Sequence, residues 1–541
     1  MPFVSNLSVR LLLAGLMLLT GCGAQVPPPA AVSPPSPAPD RYAGLQLKSP
    51  RIPDDITGEP RRLNGKLSGG IDPRDNAAVW LVQALGPEVF PETLRPDYFE
   101  MLGIEALSPA RGHFRSVEEF IASRIEDREG REEQTAALER TLKECQQRPW
   151  TADQAPLLAE YLESVADSLE TALDGMRKSR YFVPYVSRKP APNIWENELF
   201  LENRIRPLLR VIIARAQLHA ATGEVATALD EMIAIRRLGI LTREGGFCIH
   251  ELLAVAYESL TYYPEQDWIG GGRVGAAEAW QHLKAIRSLP LLPPPGKMFE
   301  RGERAILLDG IAAMKAGTWH SLDLTSQRTE NEEFFEPLLA RPLLDWDVVT
   351  SSALDEYDHV RNALNDPDRP TRQRRLEAVE NRLISWRKVS SAKVAAVPLA
   401  VLLNPAEASR TIGRTIALFA IPTYILVLEG RDRQAARTRM REISLALVIF
   451  RQERGAYPDS LAELAPRFFP AEPLDPYTGR PLTYRKTGPD SCRLWSWGEN
   501  GIDDGGRPYG KDRGPDDWPV TLGGEADGDS PGSGSPSPAK N

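Results

Sequence analysis

Between residues 76 and 430 apolar residues recur at three- and four-residue intervals, the spacing that lays a stripe along one side of an α-helix. Asn76 is placed to cap a helix over 77–85, which Gly86-Pro87 stops, and Ser116 is placed to cap another over 117–121. The clearest long run is Ala155 to Met176, where Leu158, Leu162, Val165, Leu169, Leu173 and Met176 share a face. Pro207 is suited to open a helix that breaks at Gly223, and Ala226 to Leu238 follows at once as its hairpin partner. Further helices are predicted over 249–263, 275–287, 299–315 and 371–386, separated by breaks such as Leu289-Pro290-Leu291-Leu292-Pro293-Pro294-Pro295. Strand patterning is scarce until the C-terminal quarter. There an amphipathic helix carrying Ala436, Met440, Ile443, Leu447 and Phe450 leads to a strand at Pro481-Leu482-Thr483-Tyr484 and a second near Arg493 to Ser496. The expected fold is mainly α: a solenoid-like body of helical hairpins, with a small α+β domain at the end.

The N-terminus follows a different pattern. Arg10 precedes the short apolar run Leu11 to Leu19, and Thr20-Gly21-Cys22 follows, which is the order of an export signal. The run is shorter than the roughly 20 residues a membrane span needs. Leu19-Thr20-Gly21-Cys22 resembles a bacterial lipobox. The resemblance implies removal of residues 1–21, lipidation of Cys22 and a body held at a membrane of the bacterial cell envelope by acyl chains. Gly23, where an aspartate would favour the inner membrane, leans the expectation towards the outer membrane. Residues 25–40, rich in Pro, Ala and Ser, suit an extended tether, and the lead-in is taken to residue 75. The turn at Gly223 and the small Ala228 faintly resemble a tetratricopeptide repeat, but the pattern does not recur at that family's period.

Charge and chemistry narrow the reading. With a formal net charge of −9, the 541-residue chain lacks the clustered basic surplus that nucleic-acid binding requires. Cys145, Cys248 and Cys492 lie too far apart in sequence for a metal knuckle, and export permits one bridge among them without requiring it. His250-Glu251 has no second histidine four residues on, so it reads as a surface or helix-end histidine. Asp355-Glu356-Tyr357-Asp358-His359 reads as a solvated helix face. Tyr181-Phe182-Val183-Pro184-Tyr185 either lines an apolar groove or packs a helix terminus. The apolar stretch Thr415 to Leu428 reads as a buried helix, or one lying on a membrane, rather than a span. No catalytic constellation is predicted.

The C-terminal segments Arg454-Gly455-Ala456-Tyr457-Pro458, Leu474-Asp475-Pro476-Tyr477-Thr478-Gly479-Arg480-Pro481 and Ser496-Trp497-Gly498-Glu499-Asn500-Gly501 occur in the order seen in type II secretion major pseudopilins. The resemblance covers residues 437–522 and implies a helix packed on a short antiparallel sheet. It also implies a calcium-binding loop within Leu494 to Asp517. Asn500, Asp503, Asp504, Asp516 and Asp517 are its side-chain candidates, with main-chain carbonyls near Leu494 and Ser496. Asn500 stands where that family has aspartate, and the module lies C-terminal to a lipid signal instead of carrying its own membrane helix. The expected organisation is a body over 76–430, a module over 431–522 and a disordered tail over 523–541. The expected role is a non-enzymatic envelope scaffold with an envelope protein partner. The alternatives are an envelope enzyme with its site in the helical body, or a component associated with a secretion system.

Overall fold

The computed structural model describes residues 45–54, 56, 58–108, 112–186, 199–317, 344–379, 381–382, 404–420, 423–488, 490–507 and 517–523. Cys22, the Pro-rich tether, Asp516 and the C-terminal tail lie outside the described residues. The chain is mainly helical. A two-residue strand β1 (Gln46–Leu47) and helix α1 (Gly58–Ser68) precede α2 (Ala77–Leu85), α3 (Arg95–Leu102), strand β2 (Ile104–Ala106) and α4 (Val117–Ala122). β1 and β2 pair antiparallel. The Asn76 side chain accepts from Ala78 N at the head of α2, and Ser116 and Glu119 form a reciprocal capping box on α4. Caps of this kind are worth about 1 kcal/mol each.

Next come α5 (Arg128–Cys145), α6 (Pro156–Ser164) and α7 (Ala166–Met176). The single helix expected over 155–176 is therefore two. Val165 breaks it at φ −114°, ψ 6°, and the Ser164 hydroxyl bonds back to Tyr161 O at 2.7 Å, a local bond that competes with helix continuation. The stripe survives the break because Val165 is itself buried.

The centre of the body is α8 (Phe200–Ala221), α9 (Val225–Thr242) and α10 (Cys248–Gly270). Pro207 does not open α8 but sits inside it, where burial of Leu201 and Ile205 offsets the missing hydrogen bond. Gly223, at φ +89°, supplies the left-handed residue that turns α8 into α9. Gly239 lets α9 and α10 close up, since a Cβ there would lie 3.2 Å from Ala254 O. α10 runs past the expected end at residue 263 and through Pro264, carrying Trp268 and Ile269 into the core.

After α11 (Ala276–Ser288), a π-helical turn (Phe299–Glu303) leads into α12 (Arg304–Ala316), followed by α13 (Trp346–Leu364), a helical stretch over 369–379, α14 (Pro405–Ala420) and α15 (Thr423–Arg454). The apolar stretch from Thr415 is thus divided between two helices. Ala417, Val427 and Leu428 are buried in a second core with α12 and α13, while residues 421 and 422 lie outside the described ones. No described helix is long and apolar enough to cross a membrane.

Strands β3 (Thr483–Gly488), β4 (Ser491–Ser496) and β5 (Trp518–Leu522) form one antiparallel sheet in the order β3-β4-β5. Ile443, Leu445, Ala446, Leu447, Val448 and Ile449 of α15 are all buried, so this part of the helix is covered all round rather than on one face. The helix is enclosed by α10, α11 and the sheet, and one hydrophobic cluster runs continuously from Ile56 to Leu522. Cys145, Cys248 and Cys492 are buried, and no two of them are bridged to each other.

Candidate functional site

The seam between α9, α10 and α15 contains a line of buried charge. Along α10, Glu251, Glu258 and Glu265 recur every seven residues and so share one face. Arg236 on α9 and Arg243 just beyond its end repeat at the same interval in the opposite direction, as a hairpin requires. Arg243 Nε lies 2.8 Å from Glu251, which also receives Arg431 of α15 at 3.0 Å, and Arg243 donates to Gln434 of α15 at 2.6 Å. Glu258 is held by Arg236 and by Arg441 of α15, each at 3.0 Å. Arg441 also contacts Glu265, whose other neighbour is His282 of α11 at 3.4 Å.

Arg441, with both of its glutamates, is among the most deeply buried groups in the protein. Burial alone would push the carboxyls of Glu258 and Glu265 up, but Arg236 and Arg441 beside them hold both below the usual range. Burial pulls His282 down, so it sits in the ladder as a neutral imidazole. Arg431, desolvated and facing Arg243, is lowered to about 10. Among the described residues Arg236 Nη1, Arg437 Nε and Arg441 Nη2 are buried with no hydrogen-bond acceptor. Arg437 lies between Tyr262, Tyr263 and Trp518, with Trp518 4.9 Å from its guanidinium, and donates to Ser259 Oγ at 2.6 Å. α15 and the sheet are thereby tied to the body by cation–π contacts as well as ion pairs.

A second buried cluster lies at the start of α10. His250 is in the first turn of that helix, as expected of a helix-end residue, but it is buried, not on the surface. Its Nε2 is 3.8 Å from Glu202, which accepts from Tyr181 Oη at 2.7 Å. Burial works against the Glu202 charge, yet His250 and Tyr181 hold its carboxyl below the ordinary value. Among the described residues, Tyr257 Oη and His250 Nδ1 are buried without hydrogen-bond partners. The aromatic segment 181–185 packs inward. Asn76 and Asn64 each make a two-way amide clamp, to the backbone of Phe182 and Tyr185 respectively, at 2.8–3.0 Å. The segment 355–359 divides: Asp355 and His359 are exposed, while Tyr357 is buried and Glu356 is paired with Arg382 at 2.6 Å, so it is not a wholly solvated face.

Comparison with protein-family profiles, curated proteins and solved structures finds no match for this chain.

The acidic loop follows β4. Asp503 Oδ1 accepts from Trp495 Nε1 at 2.9 Å and from Gly505 N at 3.0 Å, and Asp517 Oδ2 accepts from Gly506 N at 2.6 Å. Asn500 accepts from Ile502 N and donates to Asp504 at 3.1 Å. Leu494 and Ser496 belong to the central strand, with Leu494 opposite Tyr484 on one side and Val520 on the other. Asp517 is 3% exposed, and among the described residues its Oδ1 has no hydrogen-bond partner. Burial, reinforced by the neighbouring Asp503 and Asp504, pushes its carboxyl up to about 6. The loop thus gathers negative charge, which fits a cation. The directions of Asn500 and Asp503 fit it less well, because both side chains are engaged in local turns. Among the described residues, no group of three or more His, Cys, Asp or Glu is arranged to hold a metal ion.

Two sets of residues escaped the sequence reading. One is the ladder, whose signal was the seven-residue recurrence of glutamate in an otherwise apolar helix. The other is the role of Asp475, a buried turn residue that accepts from Ser496 Oγ, Tyr477 N and Trp497 N at 2.9–3.0 Å and so fastens the Asp-Pro turn to the sheet.

Proposed function

We propose that this chain is an envelope lipoprotein, anchored through Cys22 with its body in the periplasm and the outer membrane favoured. In this reading the helical body is a non-enzymatic scaffold that holds a pseudopilin-like module for contact with an envelope protein partner. The observation that supports it most is the fate of the glutamates on α10. Each is matched to arginines from α9 or α15, so these acidic groups serve attachment between parts of the chain. A buried ion pair adds little net stability over a hydrophobic contact, but it penalises misplacement strongly, and that suits a scaffold whose task is to fix one geometry. Calcium bound by Asp503, Asp504 and Asp517, with Asn500 and Asp516, would relieve the crowding that raises Asp517. Calorimetry on the full chain should then show calcium heat at millimolar concentration, and a flat trace would remove the ion from the reading.

The anchor is tested by Cys22→Ser. Lipid labelling and membrane fractionation should both be lost, and labelling that survives the change would refute the anchor. Affinity purification of the lipidated protein from membranes should bring down an envelope protein in fixed ratio. One observation favours an enzymatic alternative: Glu202, His250, Tyr181 and Tyr257 gather acid–base groups, some without partners, in one buried place. Recovery of the chain alone, with a reaction lost in Glu202→Gln, would decide for that alternative.

A further inference from the structure

We propose that residues 289–294 form a preorganised polyproline II ligand that docks in the aromatic-lined, acid-rimmed groove of a partner domain. The proposal names a partner chemistry for the scaffold reading and rests on that reading for its setting, although the docking itself does not depend on the lipid anchor.

The segment is Leu289-Pro290-Leu291-Leu292-Pro293-Pro294, between α11 and the π-helical turn at Phe299. Each proline fixes its own φ near −65° and biases the residue before it to extended backbone, so the sequence favours polyproline II locally. Leu289, the residue that ends α11, lies at φ −61°, ψ 147°, within that conformation. Both ends are fastened. At the first, Leu289 N donates to Ile286 O at 3.2 Å; at the second, Arg431 donates to Pro293 O, Lys297 N to Pro294 O at 3.0 Å, and Gly296 N to Asn365 Oδ1 at 2.9 Å. An extended ligand held at both ends loses little further conformational entropy on binding.

The side chains between these anchors face water. Leu291 is 94% exposed and Leu292 37%, two of the four large hydrophobic residues exposed among the described residues, and Pro290 and Pro294 are exposed beside them. With three residues per turn, Pro290 and Pro293 share one edge of the segment, and Leu291 and Pro294 share the next. Aromatic grooves that read proline-rich segments grip two adjacent edges of this kind. The charge around the segment completes the match. From residue 279 to 299 the chain carries no acidic residue, and Lys284 and Lys297 are exposed on either side. Arg287 is already engaged with Glu442 and Phe468 O, so the two lysines are the flanking cations for an acidic rim. Other partner surfaces are outcomes of the test.

The probe is a purified, isotopically labelled SH3 domain, whose groove has this aromatic floor and acidic rim, titrated with the detergent-solubilised full chain. Saturable shifts confined to the groove are expected, with Kd on the order of 100 µM. A Pro290→Ala, Leu291→Ser variant should weaken binding at least about tenfold while leaving the melting curve unchanged, because both side chains are exposed. Absence of groove shifts at about 1 mM chain, or shifts equally strong with the variant, would overturn the proposal. Loss of membrane fractionation with binding intact would sink the anchor and keep the docking, so the two failures are distinguishable.

Discussion

Negative charge is concentrated in the α10 ladder and in the 498–517 loop, and the two regions treat it in opposite ways. In the ladder three glutamates are enclosed by arginines from two other helices, and the carboxyls of Glu258 and Glu265 are held low. In the loop Asp503, Asp504 and Asp517 face one another, with Arg507 3.8 Å from Asp504, and Asp517 is pushed up instead. Three carboxylates stand on each side of this comparison; Glu499, at the head of the loop, is paired with Arg433 at 2.6 Å and belongs to neither set. What differs is whether the fold delivers cations from distant sequence to meet them, and therefore whether the charge binds the protein together or waits for something to balance it.

The largest expected effect comes from breaking the ladder on one side only. Arg441→Ala leaves Glu258 sharing one arginine and Glu265 facing a neutral histidine in the core, and should lower unfolding stability by about 3–5 kcal/mol, measured by chemical denaturation. The double change Arg441→Met with Glu265→Leu removes more polar groups yet keeps the Arg236–Glu258 pair. It should be less destabilising than Arg441→Ala. If the double variant is the weaker of the two, the ladder is not held by charge matching.

A smaller effect separates the regions by pH. Burial lowers His282 in the folded chain, so between its ordinary value near 6.5 and its depressed one the unfolded chain binds a proton that the native chain refuses. Stability should therefore fall as pH drops through this window, by up to about 1.4 kcal/mol per pH unit. Glu258 and Glu265 extend the loss once the pH falls below the ordinary glutamate value. His282→Gln should flatten the upper part of the profile and leave the lower part in place. An unchanged profile would mean that His282 is not the group titrating there.

Much of the local architecture is legible in the sequence, and the reason is that its signals are local. Asn76, Ser116 and Gly223 punctuate helices through contacts with residues only a few positions away, and each does so where the pattern places it. The ladder is different. Glu258 lies between Tyr257 and Ser259, and a period-based reading assigns a charged residue to the solvent face; only the arrival of Arg441, 183 residues later, makes the interior its place. The all-round burial of α15 has the same origin, because covering both sides of that helix takes the body and the sheet together. Strand β5 is masked by a local signal, Pro519, which argues against a strand unless it lies at an edge, as β5 does. For the loop, the sequence pointed to the acidic residues, Asp517 among them, but not to which of them would be buried with an oxygen unpartnered among the described residues, since that depends on Asp517 folding back beside Gly506.

The smallest expected effect has the opposite sign and lies in the loop. The folded chain holds a proton on Asp517 up to about pH 6, whereas the unfolded chain releases it near 3.9. Stability therefore falls as pH rises across that interval, and the loss is complete at neutral pH. Asp517→Asn keeps an oxygen for Gly506 N–H while removing the charge that Asp503 and Asp504 oppose. It should stabilise the calcium-free chain at pH 7 by on the order of 1 kcal/mol after solvent screening, and leave it unchanged at pH 3. The same variant should abolish any rise in melting temperature that calcium gives the parent chain, because binding to the folded state alone stabilises it by mass action. A variant that is less stable at pH 7 would mean that the Asp517 charge is already balanced within the fold, and the contrast between the two regions would disappear. A variant that is more stable but responds to calcium as the parent does would keep the contrast and place the ion elsewhere.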